Sequence, residues 1–140
     1  MSKKNGFIVA NWKMNFTLEE AKNFFQEFSV PATCSHKISI APQTSLLSTV
    51  KPYLDKHRIT LSAQNCSSEQ KGAFTGESSA ETLHSVGANQ VILGHSERRQ
   101  YFAENEELLS KKIEQALKAK LTVIYCIGET LAERSAGQLQ

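Results

Sequence analysis

An α/β fold built on a parallel sheet follows from two features of the sequence. Short aliphatic and β-branched runs bounded by turn residues recur at residues 7–10, 38–41, 59–63, 91–93 and 121–127, and each reads as a strand buried on both faces. Between them lie segments whose apolar residues return at helical spacing. Alternation of this kind joins parallel neighbours through right-handed crossovers.

The first helical segment, 17–28, sets Leu18, Ala21, Phe25 and Phe28 on one face, and Thr17 with Glu20 makes a capping box at its start. Residues 45–54 offer Leu46, Leu47, Val50 and Leu54, with Pro52 expected to kink or shorten that helix by removing a backbone donor. Ser78 and Glu81 cap a short helix ending at Val86, which Gly87 stops. Residues 104–120 present Leu109, Ile113, Ala116 and Leu117, and a second Thr-x-x-Glu box at Thr130 opens a helix after the fifth strand. Two architectures satisfy this order: a doubly wound five-stranded domain with its ligand at a topological switch point, or part of an eightfold barrel. Periodicity and length do not separate them.

Composition narrows the function classes. The 140 residues, 40% of them hydrophobic, suit one domain. Sixteen basic residues against 14 acidic ones, with no basic cluster, imply no nucleic-acid partner. Cys34, Cys66 and Cys126 are odd in number and form no CxxC pair, so they read as reduced thiols of a cytoplasmic protein. The apolar run after Gly6 is roughly five residues, too short for a signal-peptide core or a membrane span. The sequons at Asn15 and Asn65 then carry no meaning, since acceptor sites matter only in secreted chains.

In either architecture, chemistry gathers at the C-terminal ends of the strands, and these ends are polar. They read Asn11-Trp12-Lys13-Met14-Asn15, Ala63-Gln64-Asn65, Gly94-His95-Ser96-Glu97-Arg98-Arg99 and Cys126-Ile127-Gly128-Glu129. No glycine-rich nucleotide fingerprint is present. Lys13 is either a surface lysine or an ammonium facing an anionic substrate. His95 is either a structural hydrogen bonder or a polar group of the site. His95-Ser96-Glu97 has the H-x-E form of zinc deaminases, but no PCxxC completes a metal site, and Ser96 lacks the G-x-S-x-G elbow of a nucleophile. No metal is expected.

Taken together, these segments resemble triosephosphate isomerase over the whole chain. The resemblance rests on the first two strand-end motifs, on Gly72-Ala73-Phe74-Thr75-Gly76-Glu77, on Val91-Ile92-Leu93 leading into the Gly94 to Arg99 run, and on Tyr125-Cys126-Ile127-Gly128-Glu129-Thr130, all in the family's order. It implies a parallel (β/α)8 TIM barrel, here incomplete, with five strands and four complete βα units. Residues 1–140 would be the N-terminal part of that single domain.

The family interconverts dihydroxyacetone phosphate and D-glyceraldehyde 3-phosphate through an enediolate, in glycolysis and gluconeogenesis, without cofactor or metal. By resemblance, Lys13 would offset the charge of the phosphate and the enediolate, Asn11 would orient the substrate, and His95 would polarise its carbonyl. The resemblance also implies a neutral histidine electrophile beside a helix N-terminus. Ser96 and Glu97 can open such a helix, and Glu97 would hold Lys13 in place. Cys126 and Glu129 are assigned to structure.

The loop 72–77 would enter the other subunit of a homodimer, with Thr75 near the neighbour's Asn11 and Glu77 paired with Arg98. Read locally, it is a projecting loop whose exposed Phe74 calls for a partner, and the lesser alternative is a loop folded back on its own chain. The family's glutamate base follows strand six, and its phosphate loops follow strands seven and eight, so no position here matches them. The chain alone is therefore expected to be inactive, with exposed sheet edges that favour aggregation. An interaction domain that needs a separate C-terminal half and a flavodoxin-type binding domain are the competing readings.

Overall fold

The computed structural model describes residues 6–129 and 134–137. Five strands, β1 (Phe7–Asn11), β2 (Lys37–Ala41), β3 (Thr60–Ala63), β4 (Gln90–Leu93) and β5 (Thr122–Tyr125), lie in one parallel sheet in the order β1-β2-β3-β4-β5. That order decides between the two architectures. A doubly wound sheet reverses direction at a switch point, whereas here every crossover moves one strand further the same way, as the wall of a barrel requires. The flavodoxin-type reading fails on this observation, and the fold is an incomplete (β/α)8 barrel.

Side chains alternate between the two faces of the wall. Ile40, Leu61, Val91 and Leu93 point to the helical layer and join the main core, while Ser39, Ser62 and Gln90 face the opposite way. The Ser39 and Ser62 hydroxyls lie 2.5 Å apart, and Ser62 Oγ donates to Gln90 Oε1 at 2.9 Å, so the polar groups of this inner layer satisfy one another. Only the three central strands are closely buried. β1 and β5 are partly exposed because each has a neighbour on one side only among the described residues, which corrects the expectation of five buried strands.

α1 (Leu18–Glu27) begins at the expected capping box: Thr17 Oγ1 accepts from Glu20 N, and the Glu20 carboxylate accepts from Thr17 N at 2.7 Å. Ala21 and Phe25 are buried, but Leu18, expected on the same face, is exposed. A 3-10 turn at Thr44–Leu46 leads into α2 (Leu47–Lys56), which continues four residues beyond Pro52 rather than stopping there. Proline removes one i to i−4 bond; burial of Leu47, Val50 and Leu54, worth about 1.5–3 kcal/mol per side chain, outweighs it.

α3 (Ala80–Ser85) is capped by Ser79, whose Oγ accepts from Thr82 N, one residue later than expected, because Ser78 O instead accepts from Ser67 N and closes the base of the 72–77 loop. α4 (Ser96–Tyr101) follows β4, and α5 (Glu106–Lys118) starts from an Asn105 cap. α5 buries Leu109, Lys112 and Ala116, whereas Leu117, expected on the inner face, is exposed. The helix expected from Thr130 falls mostly outside the described residues.

Candidate active site

The polar strand ends meet at one rim of the wall. Trp12 anchors the first of them from behind: its ring is buried against Phe16, Phe24 and Phe25 at centroid distances of 4.4, 5.3 and 5.7 Å, and Phe25 stacks on Tyr53 of α2. With residue 12 turned to the helices, the next side chain turns to the mouth. Lys13 does so with φ of 53°, a left-handed conformation that costs a residue bearing a Cβ about 1–2 kcal/mol. Its amide donates to Asn11 Oδ1 at 3.0 Å in an Asx turn, and its ammonium donates to Glu97 Oε1 at 2.6 Å. That bond holds the Glu97 carboxyl below the usual range.

Glu97 stands at the start of α4, where His95 is the N-cap: Nδ1 accepts the Glu97 amide at 3.2 Å. An accepting Nδ1 places the proton of a neutral imidazole on Nε2. Glu97 Oε2 also lies 3.5 Å from Nδ1, a pairing that would need a proton there and would set it against the same amide. The shorter capping bond therefore defines the ring. Glu97 thus links Lys13, through its carboxylate, to His95, through its amide, although the two residues are 82 positions apart.

β5 supplies the next part of the rim. Cys126 N donates to Leu93 O at 2.8 Å, so pairing with β4 persists past the end of the strand. The thiol is half-buried rather than packed in a core, and desolvation pushes it up; burial pushes Cys66, within the core, up to about 11. Arg99 Nε donates to Gly94 O at 2.8 Å and its Nη2 to Tyr125 OH at 3.0 Å, tying β4 to β5 directly before His95. A cleft of about 770 Å³ opens here, lined by Gly94, His95, Ser96, Arg99, Cys126 and Glu129. Glu129 lies 3.8 Å from Arg134. A smaller groove of about 290 Å³ between α3 and α5 lies on the helical side, away from the strand ends that carry the site.

Gly94 has φ of 74°, and a Cβ there would stand 3.0 Å from Arg99 Nη2 and Tyr125 Cε2 and 3.1 Å from Cys126 O. Gly94→Ala is expected to destabilise the chain by about 1–3 kcal/mol, read from the urea midpoint, through crowding and backbone strain.

The remaining expected residues lie apart from this rim. Thr75 and Glu77 are on an exposed loop whose internal bonds are Phe74 N to Gly72 O and Glu77 N to Phe74 O, both 3.0 Å; Phe74 is 47% exposed. Arg98 Nε donates to Glu104 Oε1 at 2.6 Å within the chain, and its guanidinium covers the Phe102 ring. Lys112 reaches the same carboxylate and also donates to Asn65 Oδ1 at 2.9 Å. Burial pushes the Glu104 carboxyl up, but the Lys112 and Arg98 hydrogen bonds outweigh it and hold the group low. The sequence reading assigned no role to Gln64, Arg99, Glu104 or Lys112. The signal available for Gln64 was its place directly after a buried strand.

The arrangement brings an ammonium and an imidazole to one rim, His95 lining the cleft and Lys13, which does not line it, held beside it by Glu97; such a pair suits an anionic substrate that develops negative charge on an oxygen. Comparison with known proteins agrees in kind. The family model described as triosephosphate isomerase matches residues 6–140. The triosephosphate isomerase of Geobacter metallireducens is 49% identical over 131 residues, covering 92% of this chain and 52% of that protein, and that of Treponema denticola is 46% identical over 138 residues, covering 98% and 55%. The crystal structure of triosephosphate isomerase from Bartonella henselae superposes with a TM-score of 0.84 at 36% identity, covering 96% of this chain and 56% of that one. The chain spans about half the length of the curated relatives it matches.

Proposed function

Because the chain belongs to the triosephosphate isomerase family, we propose that it supplies the first five strands and the electrophilic half of an isomerase site that interconverts dihydroxyacetone phosphate and D-glyceraldehyde 3-phosphate. The observation that carries this reading is that Glu97 joins the two groups, its carboxylate holding the Lys13 ammonium and its backbone amide holding His95 Nδ1. Lys13 offsets the phosphate and the charge that grows on the substrate oxygen. His95, its Nδ1 occupied by the Glu97 amide, donates from Nε2 to that oxygen. Asn11 holds the Lys13 amide and orients the loop that meets the substrate. The full-length form works as a cytoplasmic homodimer, with Thr75, Glu77 and Arg98 at the interface.

Enolisation also needs a base to take the proton from carbon. Among the described carboxylates, Glu97 is engaged by Lys13, Glu104 is buried by Lys112 and Arg98, Glu77 lies on the exposed 72–77 loop, and Glu129, which lines the cleft, faces Arg134 at 3.8 Å; the family's base follows strand six. Positioned proton transfer contributes typically about 10²- to 10⁴-fold, and phosphate anchoring adds more. The 140-residue polypeptide alone is expected to give no turnover of glyceraldehyde 3-phosphate in a coupled assay. Co-expressed with the C-terminal half of the Geobacter relative, which completes the barrel, it is expected to turn over substrate. Clear activity of the polypeptide alone, or none in the completed barrel, would count against the proposal.

A further inference from the structure

Gln64 follows β3 directly, and its side chain crosses two strands. Nε2 donates to Lys13 O at 2.8 Å and to Ala41 O at 2.7 Å. Both partners are carbonyls, so the amide must present its NH2 group to them, and both of its protons are used. Lys13 is the residue whose backbone needs restraint, since it bears a Cβ at a φ of 53°. Its other tethers are of a different kind. Asn11 belongs to the same segment of chain and moves with it, and Glu97 grips only the far end of a flexible four-carbon stem. Among the described residues, Gln64 is the side chain that ties the Lys13 peptide group to another strand.

We infer that Gln64 is a positioning residue: it holds the left-handed backbone of Lys13 against β2 and β3, so that the ammonium is delivered to the mouth beside His95 to meet an anionic, phosphate-bearing substrate. What the ammonium does there rests on the isomerase reading; the restraint itself does not. If the Lys13 backbone relaxes to an ordinary extended or helical conformation, the direction of its Cβ changes and the side chain leaves the line to Glu97. The carbonyls of Ala41 and Lys13 are simultaneously left without this donor.

The test uses Gln64→Leu, which keeps bulk and removes the donor, and Gln64→Glu, which sets a carboxylate against two carbonyls. In the 140-residue chain, NMR is expected to show the strong intraresidue amide to Hα cross-peak of a left-handed residue at Lys13. In both variants that peak is expected to fall by about threefold or more, while those of Phe16 and Arg58, also at positive φ, persist. In the barrel completed by the relative's C-terminal half, KM for glyceraldehyde 3-phosphate is expected to rise about tenfold, more than kcat falls, as for lost phosphate binding.

An unchanged Lys13 peak in folded variants overturns the inference, as does an unchanged KM. Loss of amide dispersion throughout both variants also overturns it, because Gln64 would then support the whole fold and not one residue. If the unsubstituted completed barrel has no turnover while the Lys13 peak still depends on Gln64, the isomerase reading fails and the restraint on Lys13 stands.

Discussion

Lys112→Met is expected to cost the folded chain about 3–5 kcal/mol in urea unfolding, the size of effect that follows when one partner is removed from a buried ion pair. Lys112 and Glu104 have side chains only 5% and 1% exposed, and Lys112 also carries the bond to Asn65. Without Lys112 the Glu104 carboxylate keeps Arg98 but loses its most enclosed partner. Its Oε2 is already buried without a hydrogen-bond partner among the described residues, so the cluster has no spare donor to turn toward it. Replacing both charges at once, Lys112→Met with Glu104→Leu, is expected to recover much of the loss, because the desolvation cost disappears with the charges. An equal loss in single and double variants would show that packing, not charge pairing, sets the effect.

The same cluster predicts a pH dependence. The folded-state pKa of Glu104 lies below the ordinary glutamate value, so the unfolded chain binds the proton more readily. The stabilisation is fully present above the ordinary carboxylate range and is lost as pH falls through the lowered folded value. Urea midpoints measured downward through that window are expected to fall less steeply in the double variant than in the parent chain.

His95→Leu in the completed barrel is expected to lower kcat by about 10²- to 10⁴-fold with a smaller change in KM, because its Nε2 proton is needed most when charge has moved onto the substrate oxygen. Leucine also deprives the Glu97 amide of its cap, a cost of about 0.5–2 kcal/mol in stability. His95→Asn separates the two roles. Asparagine caps a helix well but places no donor where Nε2 stands, so stability is expected to return while kcat stays low. A kcat loss below about tenfold in both variants would remove His95 from the chemistry.

Much of this was legible locally. The Thr17 and Glu20 box, the strand cores and the polar strand ends are patterns within a few residues, and the sequence shows them directly. The misplacements have causes distant in sequence. Ser78 and Ser79 are both competent caps, and the choice fell to Ser79 because Ser67 takes the Ser78 carbonyl. Leu117 and Lys112 both lie near the edge of the α5 apolar stripe, and hydropathy favoured the leucine. Lys112 turned inward because Glu104 and Asn65 wait for it there, and neither pairing leaves a trace in periodicity.

By itself, the sequence determined the alternation of strands and helices, the family, and the positions of Lys13 and His95 at strand ends, since each is written in neighbouring residues. The tertiary structure alone decided the strand order that makes the wall a barrel, the left-handed backbone of Lys13, and the meeting of Lys13 with Glu97, 84 residues away. The physical reason is common to all three. Each depends on which distant strand ends come to lie side by side, and that follows from how the sheet curves.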